Sequence, residues 1–322
     1  MPNWNGVLEE ISEVGGNVHA IRKKYLGLLH EKTGRNVIAY YSGAFSNSCS
    51  GPSPTLFIND DDKNGFMTTI HGLDRSLGLD IILHTPGGDI AATESLVTYL
   101  RSMFGSDIRA IVPQIAMSAG TMIACACKSI LMGKQSSLGP IDPQINNVPA
   151  KGVVQEFDRA LDQIKNDPQA IQLWQFIIGQ YHPTFLGECR RSIDWSKSIV
   201  KDWLASGMFS DADNPEQTAE SIAHRLSDNE EHYVHARHIH LAQVEEIGLK
   251  VEKLEEDEEL QDLVLTIHHT FMHTCQQRIQ KLIENHNGVG IVQREEPPQQ
   301  VILQQPAPVP AGQQNQQGSW PN

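Results

Sequence analysis

A serine and a pair of glycines follow two apolar stretches, where they could bind and attack a carbonyl group. Ser118, in AMSAGT, comes after an apolar run and opens a helix of small residues. This places a hydroxyl at the carboxyl end of a predicted parallel strand, where α/β proteins build their sites. The helix start also offers unpaired backbone N–H groups and a partial positive charge. Ser118 is therefore a candidate nucleophile, and an ordinary helix N-cap is the alternative.

The glycines are Gly87 and Gly88, in HTPGG at the end of the preceding predicted strand. Glycine lets backbone approach a ligand closely. The N–H of Gly87 or Gly88 could join that of Ala119 in an oxyanion hole. A phosphate loop is the rival interpretation, but the Lys-Ser/Thr pair of a P-loop is missing. A strand-end PGG followed by a strand-end SAG indicates acyl chemistry more strongly than either motif alone.

The elements that must hold these residues alternate between strand and helix. Continuous apolar runs predict strands, and helical periodicity separates them. The predicted strands are 36–42, 80–85, 108–115 and 129–133, and the helices between the last three are 90–104 and 118–128. This order predicts an α/β fold with a parallel sheet and right-handed crossovers.

Helical patterns flank this α/β core on both sides. Residues 7–31 predict two short helices or one helix broken at Gly15 and Gly16, with Gly34 as the C-cap. Further helices are predicted within 153–204, 216–226 and 242–248, and a long amphipathic helix over 255–285. We predict four regions: an N-terminal helical segment 1–35, a main domain 36–251, the long helix within 252–287, and a disordered Gln/Pro-rich tail 288–322.

Composition excludes several classes of protein. The chain has 322 residues, 39% of them hydrophobic and 20% charged, which is typical of a globular protein. Its net charge of −14 argues against nucleic-acid binding, and no apolar run is long enough for membrane insertion. The start of the chain lacks the pattern of a signal peptide, and five cysteines in no regular framework suggest reduced thiols. We therefore expect a cytoplasmic protein, with Cys125 and Cys127 as core residues.

Three consecutive aspartates, residues 60–62, precede NGFMTTIHGL. Acidic side chains at this position are typical of helix N-capping. A metal site is the sharper alternative, although consecutive carboxylates cannot all face one ion.

The motifs resemble those of the Clp protease proteolytic subunit and crotonase-like superfamily. Within it, the chain is similar to the serine dehydrogenase proteinase family over about residues 25–251. The resemblance runs through TGRNVIAYYS, NGFMTTIHGLDRS, ILHTPGG, SAGTMIA, SLGPIDPQ and EEIGLKV. It implies a ClpP/crotonase-like fold and a serine peptidase with the chain order Ser–Asp–His.

Carried over position by position, the resemblance makes Ser118 the nucleophile and Asp142 the residue that orients the base. Asp142 stands 24 residues after Ser118, about where the Clp subunit has its histidine, so the base must come from elsewhere. A plain turn residue is the alternative for Asp142.

The base should be a histidine, and EEHYVHARHIHLAQVEEIGL contains His232, His235, His238 and His240. The resemblance favours His235, and His232 is the lower-ranked choice. His182 and His84 rank below both. Zinc binding by His232 and His235 would be the alternative, but no HExxH or Cys-His pattern accompanies them. We expect no metal and no cofactor.

A Ser–Lys dyad is the mechanistic competitor, with Lys151 or Lys165 as base, as in signal peptide peptidase A. A crotonase-like acyl-CoA enzyme would use the same oxyanion geometry on a thioester. A catalytically silent scaffold would bind partners through the long helix and the tail. The peptidase interpretation implies a peptide or protein substrate. Because relatives in this superfamily form rings or trimers, it also implies a homo-oligomer, with an unfoldase as a possible partner.

Overall fold

The computed structural model describes residues 4–46, 48–49, 51, 53–145, 148–227 and 235–295. The described α-helices are α1 Trp4–Glu13, α2 Val18–Thr33, α3 Asp62–Ile70, α4 Ile90–Phe104, α5 Ala119–Cys125, α6 Ala150–Asn166, α7 Ile171–Ile178, α8 Phe185–Ser206, α9 Pro215–Ser227, α10 Leu241–Ile247 and α11 Glu258–Cys275. The described strands are β1 Asn36–Ser42, β2 Leu79–His84, β3 Ile108–Val112, β4 Ile115–Ala116, β5 Ser129–Met132, β6 Ser137–Leu138, β7 Gln144–Ile145, β8 Val148–Pro149, β9 Ile239–His240, β10 Val251–Lys253, β11 Ile279–Asn285 and β12 Gly290–Arg294.

A seven-stranded sheet with the order β10-β5-β3-β2-β1-β11-β12 forms the centre of the fold. The strands from β10 to β1 pair in parallel, whereas β11 pairs antiparallel with β1 and β12 antiparallel with β11. The predicted α/β fold with a parallel sheet is therefore confirmed.

The two faces of the sheet pack against separate layers of helices. Along β1, Ile38 and Tyr40 belong to one apolar cluster, while Val37, Ala39 and Tyr41 belong to the other. Side chains alternate between faces along a strand, so a strand that is buried on both sides reads as a continuous apolar run. This explains why NVIAYYS is apolar or weakly polar at nearly every position.

The N-terminal prediction is confirmed in its form of two helices. Gly15 and Gly16 separate α1 from α2 and have φ angles of 68° and 82°. Gly34 ends α2 in the left-handed conformation, and its N–H bonds the carbonyl of His30 at 2.8 Å. Glycine is favoured at both places because a Cβ disfavours these angles.

The predicted helix over 255–285 is wrong after residue 275. α11 ends at Cys275, Arg278 has a φ of 62°, and residues 279–285 form β11. The apolar spacing fits helix and strand equally over so short a stretch, and β1 offers an unpaired edge that a strand satisfies. The disordered tail also begins too early in the prediction, because residues 290–294 form β12. Its remainder, from residue 296 onward, lies outside the described residues.

All five cysteines are free thiols, as predicted. Cys125 and Cys127 are buried in the core, where burial raises the pKa of Cys127 to about 12. In the parts of the chain that the structure describes, every helix is too short or too polar to cross a bilayer.

Candidate active site

A second, three-stranded sheet, β4-β6-β9, brings distant parts of the chain to one place. β4 pairs in parallel with β6, and β6 pairs antiparallel with β9. Ser118 follows β4, Asp142 follows β6, and His235 precedes β9. Thr85, at the end of β2, bridges Ala116 and so joins this small sheet to the central one. The two sheets together position the segments that carry Ser118, Asp142 and His235.

Ser118 stands at a sharp turn between β4 and α5. Its φ and ψ angles are 50° and −114°, and among the described non-glycine residues only Arg278 shares a positive φ. Ser118 occupies the N-cap position of α5, but its side chain makes no capping hydrogen bond. The alternative that the Ser118 hydroxyl caps α5 is therefore wrong. A strained turn of this kind typically costs about 1–3 kcal/mol and is held by its surroundings.

Two glycines allow this turn to pack closely. A Cβ on Gly87 would lie 2.7 Å from the Cβ of Ser118 and 2.8 Å from the carbonyl oxygen of Met117. A Cβ on Gly139 would lie 3.2 Å from the backbone nitrogen of Ser118. Any larger residue at position 87 would push the serine out of place, and Gly87 also has a φ of 102°.

The backbone around Gly88 distinguishes the two candidate oxyanion donors. The N–H of Gly87 donates to Oγ1 of Thr85 at 3.1 Å. Gly88 forms a parallel bridge with Ile58, in which Ile58 and Asp89 supply the N–H groups. The N–H of Gly88 therefore points away from Ile58. The N–H of Ala119, the first residue of α5, has no carbonyl partner one turn earlier in its helix. The geometry favours Gly88 with Ala119 over Gly87.

Asp142 and His235 form a direct contact across 93 residues of sequence. Nδ1 of His235 lies 2.8 Å from Oδ1 of Asp142, and Asp142 is only 2% exposed. Its other oxygen, Oδ2, has no hydrogen-bond partner among the described residues. A proton on Nδ1 satisfies the carboxylate and leaves Nε2 of His235 available as a base. Asp142 is therefore more than a turn residue.

Ser118 and His235 line one cavity of about 570 Å³. Gly88 and Asn59 also line it, and so does Trp195 of α8. Its apolar walls come from Pro54, Phe57, Ile58, Ile90, Met122 and Ile141. The contributions of Ile58 and Trp195 left no local signal in the sequence, because they depend on packing between distant segments.

The other candidate bases that the structure describes are not among the residues lining this cavity. Lys151, in the first turn of α6, is not among the described residues that line this cavity, and Lys165 pairs with Asp162 at 3.2 Å. His238 bonds Ser137 at 2.7 Å, and His240 occupies the N-cap position of α10. Exposed His182 contacts Thr184. His232 lies outside the described residues.

His84 is a buried core residue. Its ring packs 5.2 Å from Tyr41 and 5.1 Å from His268, and neither ring nitrogen has a hydrogen-bond partner in the described part of the chain. Burial lowers the pKa of His84 to about 4. His84 is thus held neutral and is not among the residues lining the Ser118 cavity.

This burial predicts acid sensitivity. Because the folded-state pKa lies below the ordinary 6.5, the unfolded chain binds the proton first as pH falls. The contribution of neutral His84 to the free energy of unfolding is fully present above pH 6.5 and is lost as the pH falls toward 4. At pH 5 the expected loss is about 2 kcal/mol. His84→Phe should remove this part of the pH dependence in urea unfolding measured at pH 7 and pH 5. Exposed His182→Asn should retain it, and an unchanged slope in His84→Phe would contradict the assignment.

The chain is similar to a known protein family and to two individual proteins. The sequence model of a family described as ClpP-like SDH-type serine proteinase matches residues 16–278. The uncharacterized protein MJ0137 of Methanocaldococcus jannaschii is 33% identical over 138 residues, which cover 43% of this chain and 48% of that protein. The uncharacterized protein MJ1495 of the same organism is 32% identical over 111 residues, covering 34% and 38%. These matches span less than half the length of either relative. Since the family model matches most of the chain, this protein belongs to the ClpP-like SDH-type serine proteinase family.

Proposed function

We propose that the protein is a serine peptidase in which Ser118 is the nucleophile, His235 the general base and Asp142 the residue that orients it. One observation carries this proposal. Ser118 and His235 line the same cavity, and His235 is bonded to Asp142 at 2.8 Å. A nucleophile, a base and an orienting carboxylate are the three parts that acyl transfer requires.

The reaction would begin when Oγ of Ser118 attacks the carbonyl carbon of the peptide bond. Nε2 of His235 takes the hydroxyl proton as the new C–O bond forms, and the carbonyl π electrons move to the oxygen. Asp142 stabilises the resulting imidazolium through Nδ1–H. When the tetrahedral intermediate collapses, the C–N bond breaks and His235 returns the proton to the leaving amine. Water then hydrolyses the ester on Ser118 by the same steps.

The negative oxygen of the intermediate would be bound by the N–H groups of Gly88 and Ala119. Both are backbone donors held by secondary structure, so they need no reorganisation during the reaction. Removing one such donor typically lowers kcat by about 10²- to 10³-fold. The substrate would be a peptide or an unfolded protein segment, and a homo-oligomeric assembly forms part of the same proposal.

The test is covalent labelling of the folded protein with a fluorophosphonate probe, followed by mass spectrometry of its proteolytic peptides. We expect one adduct, on Ser118, and none after heat denaturation. Absence of an adduct on folded protein would overturn the peptidase, and so would an adduct on another serine. A crotonase-like enzyme would instead leave Ser118 unlabelled and bind an acyl-CoA thioester.

A further inference from the structure

A fully buried ion pair lies behind the loop that borders the candidate site. Lys281 of β11 and Asp62 of α3 are both 0% exposed. Nζ of Lys281 donates to Oδ1 of Asp62 at 2.5 Å and to the carbonyl of Phe57 at 2.8 Å. Oδ2 of Asp62 accepts the O–H of Tyr40 at 2.8 Å and the backbone N–H of Asn59 at 3.1 Å. The run of aspartates at 60–62 predicts helix capping, and nothing in the local sequence indicates this arrangement.

Capping does not explain Asp62. Asp61 stands at the N-cap position of α3 without a side-chain hydrogen bond, whereas Asp62 lies inside the first turn with its carboxylate in the core. Burial raises the pKa of Asp62 and lowers that of Lys281, since both charged forms lose water. A buried ion pair is often no more stable than apolar residues of the same volume. Its contacts therefore point to a positional role.

The ion pair holds the two residues on either side of Ile58. The carbonyl of Phe57 and the N–H of Asn59 are bound directly, as described above. Ile58 in turn donates its N–H to the carbonyl of Gly87 at 2.9 Å and accepts the N–H of Asp89 at 2.9 Å. These two bonds fix the backbone on both sides of Gly88.

Tyr40 is a further partner of Asp62. Its O–H donates to Oδ2 of Asp62 at 2.8 Å. Because the same oxygen accepts the backbone N–H of Asn59, Tyr40 helps to hold the carboxylate where it binds this backbone. Separately, Oγ1 of Thr85 accepts the N–H of Gly87 at 3.1 Å.

We propose that Lys281 is a positioning residue, which holds the N–H of Gly88 in the orientation that oxyanion binding requires. This inference rests on the proposed peptidase function. Lys281 lies on β11, the antiparallel strand added beside β1, and beyond residues 16–278 that the family model matches. Strand β11 therefore supports the Gly87–Gly88 loop from behind without touching the substrate.

Lys281→Met tests this proposal, because it removes the donors to Phe57 and Asp62 while keeping an unbranched side chain. We expect kcat for a fluorogenic peptide to fall about 10- to 100-fold with KM changed less than about threefold, since the affected donor acts on the transition state. Hydrogen exchange of the amides of Ile58 and Asp89 should accelerate about tenfold. Labelling of Ser118 should slow but still reach completion.

Glu284→Gln is the matched control. Glu284 lies three residues further along β11, on the opposite face, and forms a buried ion pair with Arg22 at 2.6 Å. This variant should lose similar thermal stability but keep kcat within about twofold, because neither residue contacts the Phe57–Asn59 backbone. If Lys281→Met does not fold, Tyr40→Phe removes a donor to Asp62 and should lower kcat about 3- to 10-fold.

Three results would overturn the inference. One is a folded Lys281→Met protein with wild-type kcat and wild-type exchange at Asp89. Another is an equal loss of kcat in Glu284→Gln, because general destabilisation would then explain the fall in kcat of Lys281→Met. The third is wild-type kcat in Tyr40→Phe where Lys281→Met does not fold. A different result would overturn the peptidase alone. If Lys281→Met accelerates exchange at Asp89 but the wild-type protein is never labelled by the probe, Lys281 still supports the loop, and the proposed peptidase function is wrong.

Discussion

Replacing Ser118 by alanine should abolish peptide hydrolysis and fluorophosphonate labelling while leaving the fold intact. The attacking oxygen is lost, and the remaining groups can only polarise the carbonyl for attack by water. For a triad nucleophile, kcat typically falls about 10⁴- to 10⁶-fold. The side chain makes no capping hydrogen bond, so its removal costs the helix no cap contact. Circular dichroism and the melting temperature should therefore match those of the wild type.

Two companion variants sharpen this experiment. Ser118→Gly removes the same oxygen but also relieves the positive φ of 50°, so it should melt at the wild-type temperature or above it. Ser102→Ala changes an exposed serine on α4 whose hydroxyl bonds only the carbonyl of Tyr99 among described partners, and it should retain full activity. If Ser118→Ala hydrolysed the peptide at the wild-type rate, another nucleophile would be responsible.

His235→Ala should be nearly as severe, with kcat reduced about 10³- to 10⁴-fold, because the proton of Ser118 then has no acceptor. His232→Ala should stay within about threefold of wild type, since the proposal assigns the proton transfer to His235. The measurement is kcat for a fluorogenic peptide, together with the rate of probe labelling. Labelling retained in His235→Ala and lost in His232→Ala would identify His232 as the base.

Asp142→Asn completes the same experiment. An amide can donate to Nδ1 and so favour the tautomer with its proton on Nε2, which cannot act as a base. We expect a loss of about 10³- to 10⁴-fold in kcat. Because the two residues act as a unit through the 2.8 Å contact, the double variant His235→Ala/Asp142→Asn should lose little more than His235→Ala alone. Fully additive losses would show that Asp142 and His235 act separately.

Local pattern was sufficient for the elements of the α/β core. The apolar run at 36–42 and the PGG after 80–84 predict their strands because burial on both faces and a glycine turn leave direct marks in composition. The same reasoning failed at 279–285. There IQKLIEN satisfies helical and strand spacing alike, and only the open edge of β1 decides between them.

Asp62 and Lys281 show a second limit of prediction from local sequence. A triplet of aspartates before a helix is typical of capping, and a lysine within an apolar stretch is usually solvated. The pairing of these residues depends on β11 lying beside β1, which is a contact between residues 219 positions apart. Local spacing contains no information about such a contact.

The chain's own residues thus determine the turn at Ser118 and the glycine loop, because both are backbone conformations that only a few residue types permit. Resemblance to a family, not spacing, suggested Asp142 and His235 as partners of Ser118. Tertiary structure alone decided that His235 meets Asp142, that Gly88 rather than Gly87 has its N–H turned away from Ile58, and that Lys281 stands behind that loop. These three depend, respectively, on the pairing of β4, β6 and β9, on the bridge between Ile58 and Gly88, and on the pairing of β1 and β11. In each, segments far apart in sequence satisfy one another's backbone hydrogen bonds.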